Sequence, residues 1–151
     1  MNPRTANQRQ PQENVEGRIL TMRILWFAML MSIVIYFVFA LFVGRSEDLA
    51  AKPSLSLSLL GAAVSTTLIS FLIKSKLLTK AVEQKNLAML QQAYIVTWAI
   101  TEVAALLGLL DFFSTGDRYY YVFFLIAACG MLFHFPRREP VENAAFKGSV
   151  I

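Results

Sequence analysis

One acidic residue, Glu102, lies inside an otherwise uncharged stretch of this 151-residue chain. The stretch runs from Ala88 to Leu110 and reads "AMLQQAYIVTWAITEVAALLGLL". A carboxyl group in apolar surroundings either binds a proton or cation, or forms a hydrogen bond between helices. The choice depends on the medium around the helix, and the composition of the chain indicates that medium.

Four long apolar segments indicate that the medium is a lipid bilayer. The chain is 56% hydrophobic and 16% charged, with a mean hydropathy of +0.53, whereas soluble domains contain roughly 25% charged residues. A helix of about 20 apolar residues crosses the hydrocarbon core. We therefore predict an all-α, polytopic integral membrane protein, an antiparallel bundle of four transmembrane helices at residues 24–43, 54–73, 88–110 and 119–135.

The distribution of basic residues predicts the orientation of these helices. Eleven of the 14 Lys and Arg residues precede the first helix, lie between the second and third, or follow the fourth. Basic residues in short loops favour the cytoplasmic side. We therefore expect a multi-pass protein of the inner or plasma membrane. Both of its termini should lie in the cytoplasm. Residues 1–17 are expected to be a disordered tail, residues 18–135 the transmembrane domain and residues 136–151 a second tail.

Several classes of function are not indicated by the sequence. It contains no Gly-rich phosphate loop, no nucleophile paired with a base, and no His, Cys and carboxylate cluster with ligand spacing. We therefore expect no enzymatic activity, no cofactor and no metal. Basic residues do not alternate with aromatic ones, so we expect no nucleic-acid partner. The single cysteine, Cys129, is expected to be a buried apolar residue.

The depth of Glu102 predicts its hydrogen-bond partners. It lies about 12 Å from the outer end of the predicted third helix at 1.5 Å per residue. Ser65 and Thr66 occupy a similar depth in the second helix, and Thr101 adjoins Glu102, so we expect these hydroxyl groups as partners. No Lys or Arg occurs at that depth, and an ionised carboxylate at the bilayer centre costs about 2.5–3.5 kcal/mol. We therefore predict that Glu102 holds a proton at neutral pH.

Small residues at four-residue spacing predict where the second and third helices pack. In lipid, helices associate by close packing and interhelical hydrogen bonds, although Ser and Thr can also bond to their own helix. The expected contact residues are Ser58 and Ala62 on the second helix, and Ala93, Thr97, Ala105 and Gly108 on the third.

The second helix, the loop "KSKLLTKAVEQKN" and the stretch "QQAYIVTWAITEVAALLGLL" together resemble a known hairpin. Residues 54–110 are similar to the helical hairpin of the rotor-ring c subunit of rotary ATP synthases. That family carries an essential carboxylate in an A-x-x-E-x-x-x-L-x-G-L setting, which this chain matches at Ala99, Glu102, Leu106, Gly108 and Leu109. The resemblance implies that Glu102 carries a proton, in a chain with two helices beyond the hairpin.

Two functions remain open from the sequence. The chain is predicted to be a structural or accessory subunit of a larger membrane complex or a homo-oligomer, with Glu102 as a buried hydrogen-bonding group. Alternatively, it is a proton-translocating element in which Glu102 is reversibly protonated. In both cases the expected partners are the lipid bilayer and other membrane protein subunits or further copies of this chain.

Overall fold

A computed structural model describes residues 3–43, 53–115 and 118–145, with side chains from residue 15 onwards. These residues form helices and short connections, with no strand among them, which confirms the all-α prediction. A 3-10 turn at Arg118–Tyr120 precedes the fourth α-helix. The α-helices are α1 at Pro3–Val43, α2 at Pro53–Glu83, α3 at Leu87–Thr115, α4 at Tyr121–Phe133 and α5 at Arg138–Ala145.

Three of these helices are long and apolar enough to cross a membrane. They are the segments Val15–Val43, Pro53–Glu83 and Leu87–Thr115. A fourth span is possible if Arg118–Phe133 and Arg138–Ala145, which meet at an angle of 45°, are counted as one bent segment. By length and composition the chain is therefore a multi-pass membrane protein with three or four spans.

A tight connection joins α2 to α3 and makes them a hairpin. Lys85 adopts a positive φ of 50°, the left-handed conformation that reverses the chain after a helix. The Asn86 side chain then accepts a hydrogen bond of 3.1 Å from the Met89 amide and so caps the first turn of α3. The α2–α3 contact is the most extensive one between helices in the described fold.

The other helices cover this hairpin. Trp26 and Phe37 of α1 contact Met131 and Phe124 of α4 respectively, so α1 and α4 run in opposite directions. The Ser32–Glu102 contact and an Arg18–Gln91 contact show that α1 runs parallel to α3.

Helical structure extends into both predicted tails. The sequence predicts disorder for residues 1–17, whereas α1 begins at Pro3, and α5 lies within the predicted C-terminal tail. Val15 and Ile19 of α1 are buried with Val141 and Ala144 of α5. In each of these two polar segments, apolar residues three or four positions apart form one apolar side of the helix. The apolar side of α1 packs against that of α5.

The face of α2 that packs inside the bundle is not the predicted one. Ser58 and Ala62 lie on the outer surface of α2, whereas Ala63, Thr67 and Ser70 are buried. Both rows consist of small residues, so residue size alone does not distinguish them. The inner row packs closely at Gly130 of α4, where a Cβ atom would lie 2.9 Å from the methyl group of Thr101 and 3.0 Å from that of Thr67.

Other expected contact residues do lie between helices. Ala93, Thr97 and Ala105 of α3 are buried, as is Gly108. Cys129 of α4 was predicted to be buried but is exposed on the outer surface, because it lies on the side of α4 away from the buried residues Ala127 and Gly130.

Candidate functional site

The Glu102 carboxyl group lies at the contact between α3 and α1. Glu102 is near the midpoint of the 29-residue helix α3 and is partly buried. The Ser32 hydroxyl oxygen is 2.5 Å from Glu102 Oε1, and the Tyr36 hydroxyl donates a further hydrogen bond to the carboxyl group. Two residues one turn apart on α1 therefore hold the carboxyl group of α3.

The predicted partners of Glu102 bond to other groups. Ser65 is exposed on the outer side of α2, Thr66 donates to the Ala62 carbonyl at 2.7 Å, and Thr101 donates to the Thr97 carbonyl at 2.9 Å. Glu102 points elsewhere because adjacent residues are about 100° apart around a helix. Thr101 faces α2 and lies 3.3 Å from Ser70 Oγ, so Glu102 faces α1.

The hydrogen bonds at Ser32 depend on whether Glu102 carries a proton. The Ser32 hydroxyl has one proton and two acceptors in reach, the Met29 carbonyl at 2.7 Å and Glu102 Oε1 at 2.5 Å. A neutral carboxyl group can donate to Ser32 while Ser32 donates to Met29. An ionised carboxylate would need the Ser32 proton for itself. Among the described residues, the ion pairs are those of Arg138 with Glu16 and Glu142, so no cation offsets a charge on Glu102.

A second polar cluster surrounds the fully buried side chain of His134, directly after α4. His134 Nε2 is 2.8 Å from Ser70 Oγ, and His134 Nδ1 is 3.5 Å from Lys74 Nζ. The Ser70 hydroxyl donates to the Thr67 carbonyl at 2.6 Å, so its oxygen accepts the proton of His134 Nε2. Nδ1 then carries the lone pair that faces the Lys74 ammonium group, which is the arrangement of a neutral imidazole.

Side chains from three helices bind the carbonyl groups at the end of α4. Trp26 Nε1 donates to the Met131 carbonyl at 2.8 Å, and Trp98 Nε1 donates to the His134 carbonyl at 3.1 Å. Lys74 Nζ lies 3.3 Å from the Phe133 carbonyl oxygen. Because the last carbonyls of a helix have no partner within it, these contacts fix the end of α4. The cluster stabilises the fold and has no nucleophile placed against a base.

Asp111 is a buried acid that the sequence analysis missed. The Asp111 side chain is fully buried. Its Oδ1 accepts a hydrogen bond of 2.9 Å from the Thr115 hydroxyl group, whereas its Oδ2 has no hydrogen-bond partner within the described structure. The sequence places the end of the third helix at Leu110, one residue earlier. The signal available was the spacing of three and then four residues that puts Gly108, Asp111 and Thr115 on one helical face.

Close packing separates Asp111 from the polar groups at the other end of the bundle. A Cβ atom at Gly108 would lie 2.7 Å from Phe123 Cβ and 3.3 Å from the Phe124 ring. Thr101 and Asp111 are ten residues apart, or about 15 Å along the helix, and buried Ala104 and Gly108 lie between them on the same face. The described side chains therefore do not form a continuous polar path along α3.

Metal chemistry has no candidate in this part of the chain, because the described residues contain no group of three or more His, Cys, Asp or Glu placed to hold an ion. Comparison with known proteins gives no match, since no protein-family model, curated protein or solved structure is significantly similar to this chain. Function is therefore inferred from the geometry of the helices and of Glu102.

Proposed function

We propose that this chain is a small structural subunit of an inner or plasma membrane, which assembles with further copies of itself through the outer face of α2. It crosses the membrane four times, with Arg118–Phe133 as the fourth span and both termini in the cytoplasm. The observation that carries the proposal is a row of small residues on the exposed side of α2.

This row, the α2 outer face, consists of Ser58, Gly61, Ala62 and Ser65, all of which are exposed. A Cβ atom at Gly61 would meet nothing within 4 Å. Large side chains flank the row, and Leu57 is 71% exposed. Small residues between larger ones let two helix backbones approach closely, which is the main source of helix association in lipid.

The hydroxyl group of Ser58 already has a hydrogen-bond partner within α2. Ser58 donates to the Ser54 carbonyl at 2.9 Å within α2. A hydroxyl that is satisfied by its own helix can be buried against a second helix without losing a bond to water. The α2 outer face is thus suited to a close helix–helix contact.

The orientation follows from the charges at the ends of the helices. Eleven of the 14 Lys and Arg residues precede residue 24, lie between residues 73 and 88, or follow residue 135. The proposed topology puts all of these on the cytoplasmic side, as the positive-inside rule requires.

Within this function Glu102 joins α1 to the hairpin as a neutral acid. The hydrogen bonds with Ser32 and Tyr36 support this role, because both α1 side chains bond to the same carboxyl group of α3. An interhelical hydrogen bond of this kind contributes about 0.6–2 kcal/mol in a membrane. The proton on Glu102 removes the cost of a charge that no cation offsets.

The mass of the protein in mild detergent, measured by light scattering, tests self-association. The native protein is expected to have a multiple of the 17.0 kDa chain mass, and Gly61→Leu is expected to have the mass of one chain. Gly17→Leu is the matched control, because a Cβ at Gly17 also meets nothing within 4 Å but lies on α1. A native protein with the mass of one chain, or a Gly61→Leu variant that still associates, would refute the proposal.

A second function, proton translocation, is favoured by one observation. Glu102 is only partly buried although it lies at the midpoint of α3, so a proton could reach the carboxyl group if α1 moved. Under this alternative, Glu102→Gln abolishes proton uptake into vesicles and labelling by dicyclohexylcarbodiimide. If the function is structural, the native protein and Glu102→Gln should show the same proton flux.

A further inference from the structure

We propose that the seam between α1 and α4 binds one anionic phospholipid, with its phosphate at Arg23 and Arg138 and an acyl chain in the apolar groove between the two helices. The site is distinct from the α2 outer face and does not depend on self-association. Only its assignment to the cytoplasmic leaflet rests on the orientation proposed above.

The headgroup end of the seam is a polar pocket of about 200 Å³. Its lining residues are Glu16, Ile19, Leu20, Arg23 and Arg138. Arg138 is shared between two carboxylates, Glu16 at 3.2 Å and Glu142 at 2.8 Å. The pocket therefore contains two guanidinium groups and one carboxylate.

Arg23 is the group in this pocket that lacks an acidic partner. Its guanidinium lies 5.5 Å from the centre of the Phe135 ring, and within the described structure the ion pairs are made by Arg138 instead. Arg138 is already bound by Glu16 and Glu142, so the attraction for an anion comes from the unpaired Arg23 guanidinium. A guanidinium binds phosphate oxygens through two parallel hydrogen bonds.

The acyl-chain end of the seam is an apolar groove of about 270 Å³. Ile33, Val34 and Phe37 of α1 line one side of it. Leu125 and Ala128 of α4 line the other side, together with Tyr121 and Phe124. Such a groove at the surface of a transmembrane segment is filled by hydrocarbon when the protein is in a bilayer.

The two pockets lie along one face of α1. Leu20, Arg23, Phe27 and Val34 follow each other at intervals of three, four and seven residues, which places them on the same side of the helix. On α4 the exposed residues Leu125 and Leu132 continue the line towards Phe135, which contacts Arg23. The headgroup pocket and the apolar groove are therefore the two ends of one surface.

The spacing of the two ends fits one phospholipid. Arg23 and Val34 are eleven residues apart, or about 16 Å along the helix. One leaflet contributes half of a hydrocarbon core of about 30 Å, so an acyl chain reaches about 15 Å below its phosphate. A free phosphate ion would fill only the first pocket, whereas the end of a lipid acyl chain also enters the near part of the groove, at Ile33, Val34 and Ala128.

Native mass spectrometry of the full chain, released from micelles that contain phosphatidylglycerol or phosphatidylcholine, tests this site. We expect one phosphatidylglycerol to be retained per chain. Arg23→Gln should weaken retention about tenfold, the effect of losing one charge-assisted contact. Ala128→Phe, which fills the groove, should weaken it without changing the charge.

Two variants serve as matched controls. Lys76→Gln removes one positive charge from an exposed position outside the seam, and Val64→Phe adds a ring to the exposed side of α2. Neither should change retention as much as its counterpart in the seam. Equal retention of both lipids, equal effects of Lys76→Gln and Arg23→Gln, or competition by inorganic phosphate at the same concentration would each overturn the proposal. Near-ultraviolet circular dichroism of each variant shows that the loss does not come from unfolding.

Discussion

Replacing Glu102 with Gln distinguishes a neutral carboxyl group from an ionised one. Gln has nearly the same shape and can still form hydrogen bonds with Ser32 and Tyr36, but it cannot ionise. If Glu102 already carries a proton, the free energy of unfolding should change by less than about 0.5 kcal/mol, because the interhelical bonds of α1 and α3 are kept.

An ionised Glu102 would give a different result. A carboxylate at the centre of a transmembrane helix costs about 2.5–3.5 kcal/mol, and no cation pairs with Glu102 in the described structure. Glu102→Gln would remove that cost and stabilise the protein by a similar amount. The two protonation states therefore predict changes that differ by at least about 2 kcal/mol.

Unfolding in dodecyl sulfate, followed by tryptophan fluorescence, measures this difference. Trp98 is fully buried and Trp26 is partly buried, so both report the loss of helix packing. Ser32→Ala is the companion variant and should destabilise by about 0.6–1.7 kcal/mol, since it removes the hydrogen-bond partner of Glu102 from the α1–α3 contact. A Glu102→Gln variant more stable than the native protein by 2 kcal/mol or more would refute the neutral-acid interpretation.

Three further changes test other parts of the fold by the same unfolding assay. Gly108→Ala should be less stable than Gly61→Ala by about 1–3 kcal/mol, because its new Cβ would lie 2.7 Å from Phe123 Cβ whereas the one at Gly61 meets nothing; equal stability of the two variants would contradict the close α3–α4 contact. Ser70→Ala should destabilise by about 1–3 kcal/mol, since it leaves a buried ring nitrogen of the histidine cluster without its acceptor. Ser70→Thr keeps the hydroxyl group and serves as the control. Asp111→Asn should keep or increase stability, because Oδ2 has no partner that the amide would lose; a loss above about 1 kcal/mol would show that the carboxylate forms a bond that Asn cannot replace.

The sequence predicted the all-helical structure, but not the direction in which the Glu102 side chain points. Long apolar runs are sufficient to indicate all-helical structure and membrane-spanning length. Depth follows from counting residues along a helix axis. Rotation about that axis depends on every neighbouring helix, so Ser65 and Thr66 were expected near Glu102, whereas α1 supplies Ser32.

The α2 helix shows the same limit more clearly. One of its faces carries Ser58 and Ala62, and another carries Ala63, Thr67 and Ser70, so both are suited to close packing by residue size. The second face packs closely at Gly130 of α4, and that contact joins residues more than 60 positions apart. A helix with two small-residue faces can pack inside its own bundle and still offer a surface to a second chain.

The short helix α5, which has few apolar residues, could not be predicted from the sequence pattern either. In α5 only Val141 and Ala144 are buried, and the segment reads as a polar tail because of its charged residues. Its position is fixed by contacts with the start of α1 and by Lys85, whose Nζ donates to the Asn143 carbonyl at 3.1 Å. Such contacts join parts of the chain that no local periodicity connects.

Pulsed electron paramagnetic resonance in lipid nanodiscs tests self-association through α2 most directly. Cys129 is the single cysteine of the chain and is exposed, so a spin label can be attached without any substitution. We predict a defined distance between labels on two chains in the native protein and in Gly17→Leu, and the loss of that distance in Gly61→Leu. Native protein without any dipolar signal between labels, or a signal that Gly61→Leu leaves unchanged, would contradict the proposed association.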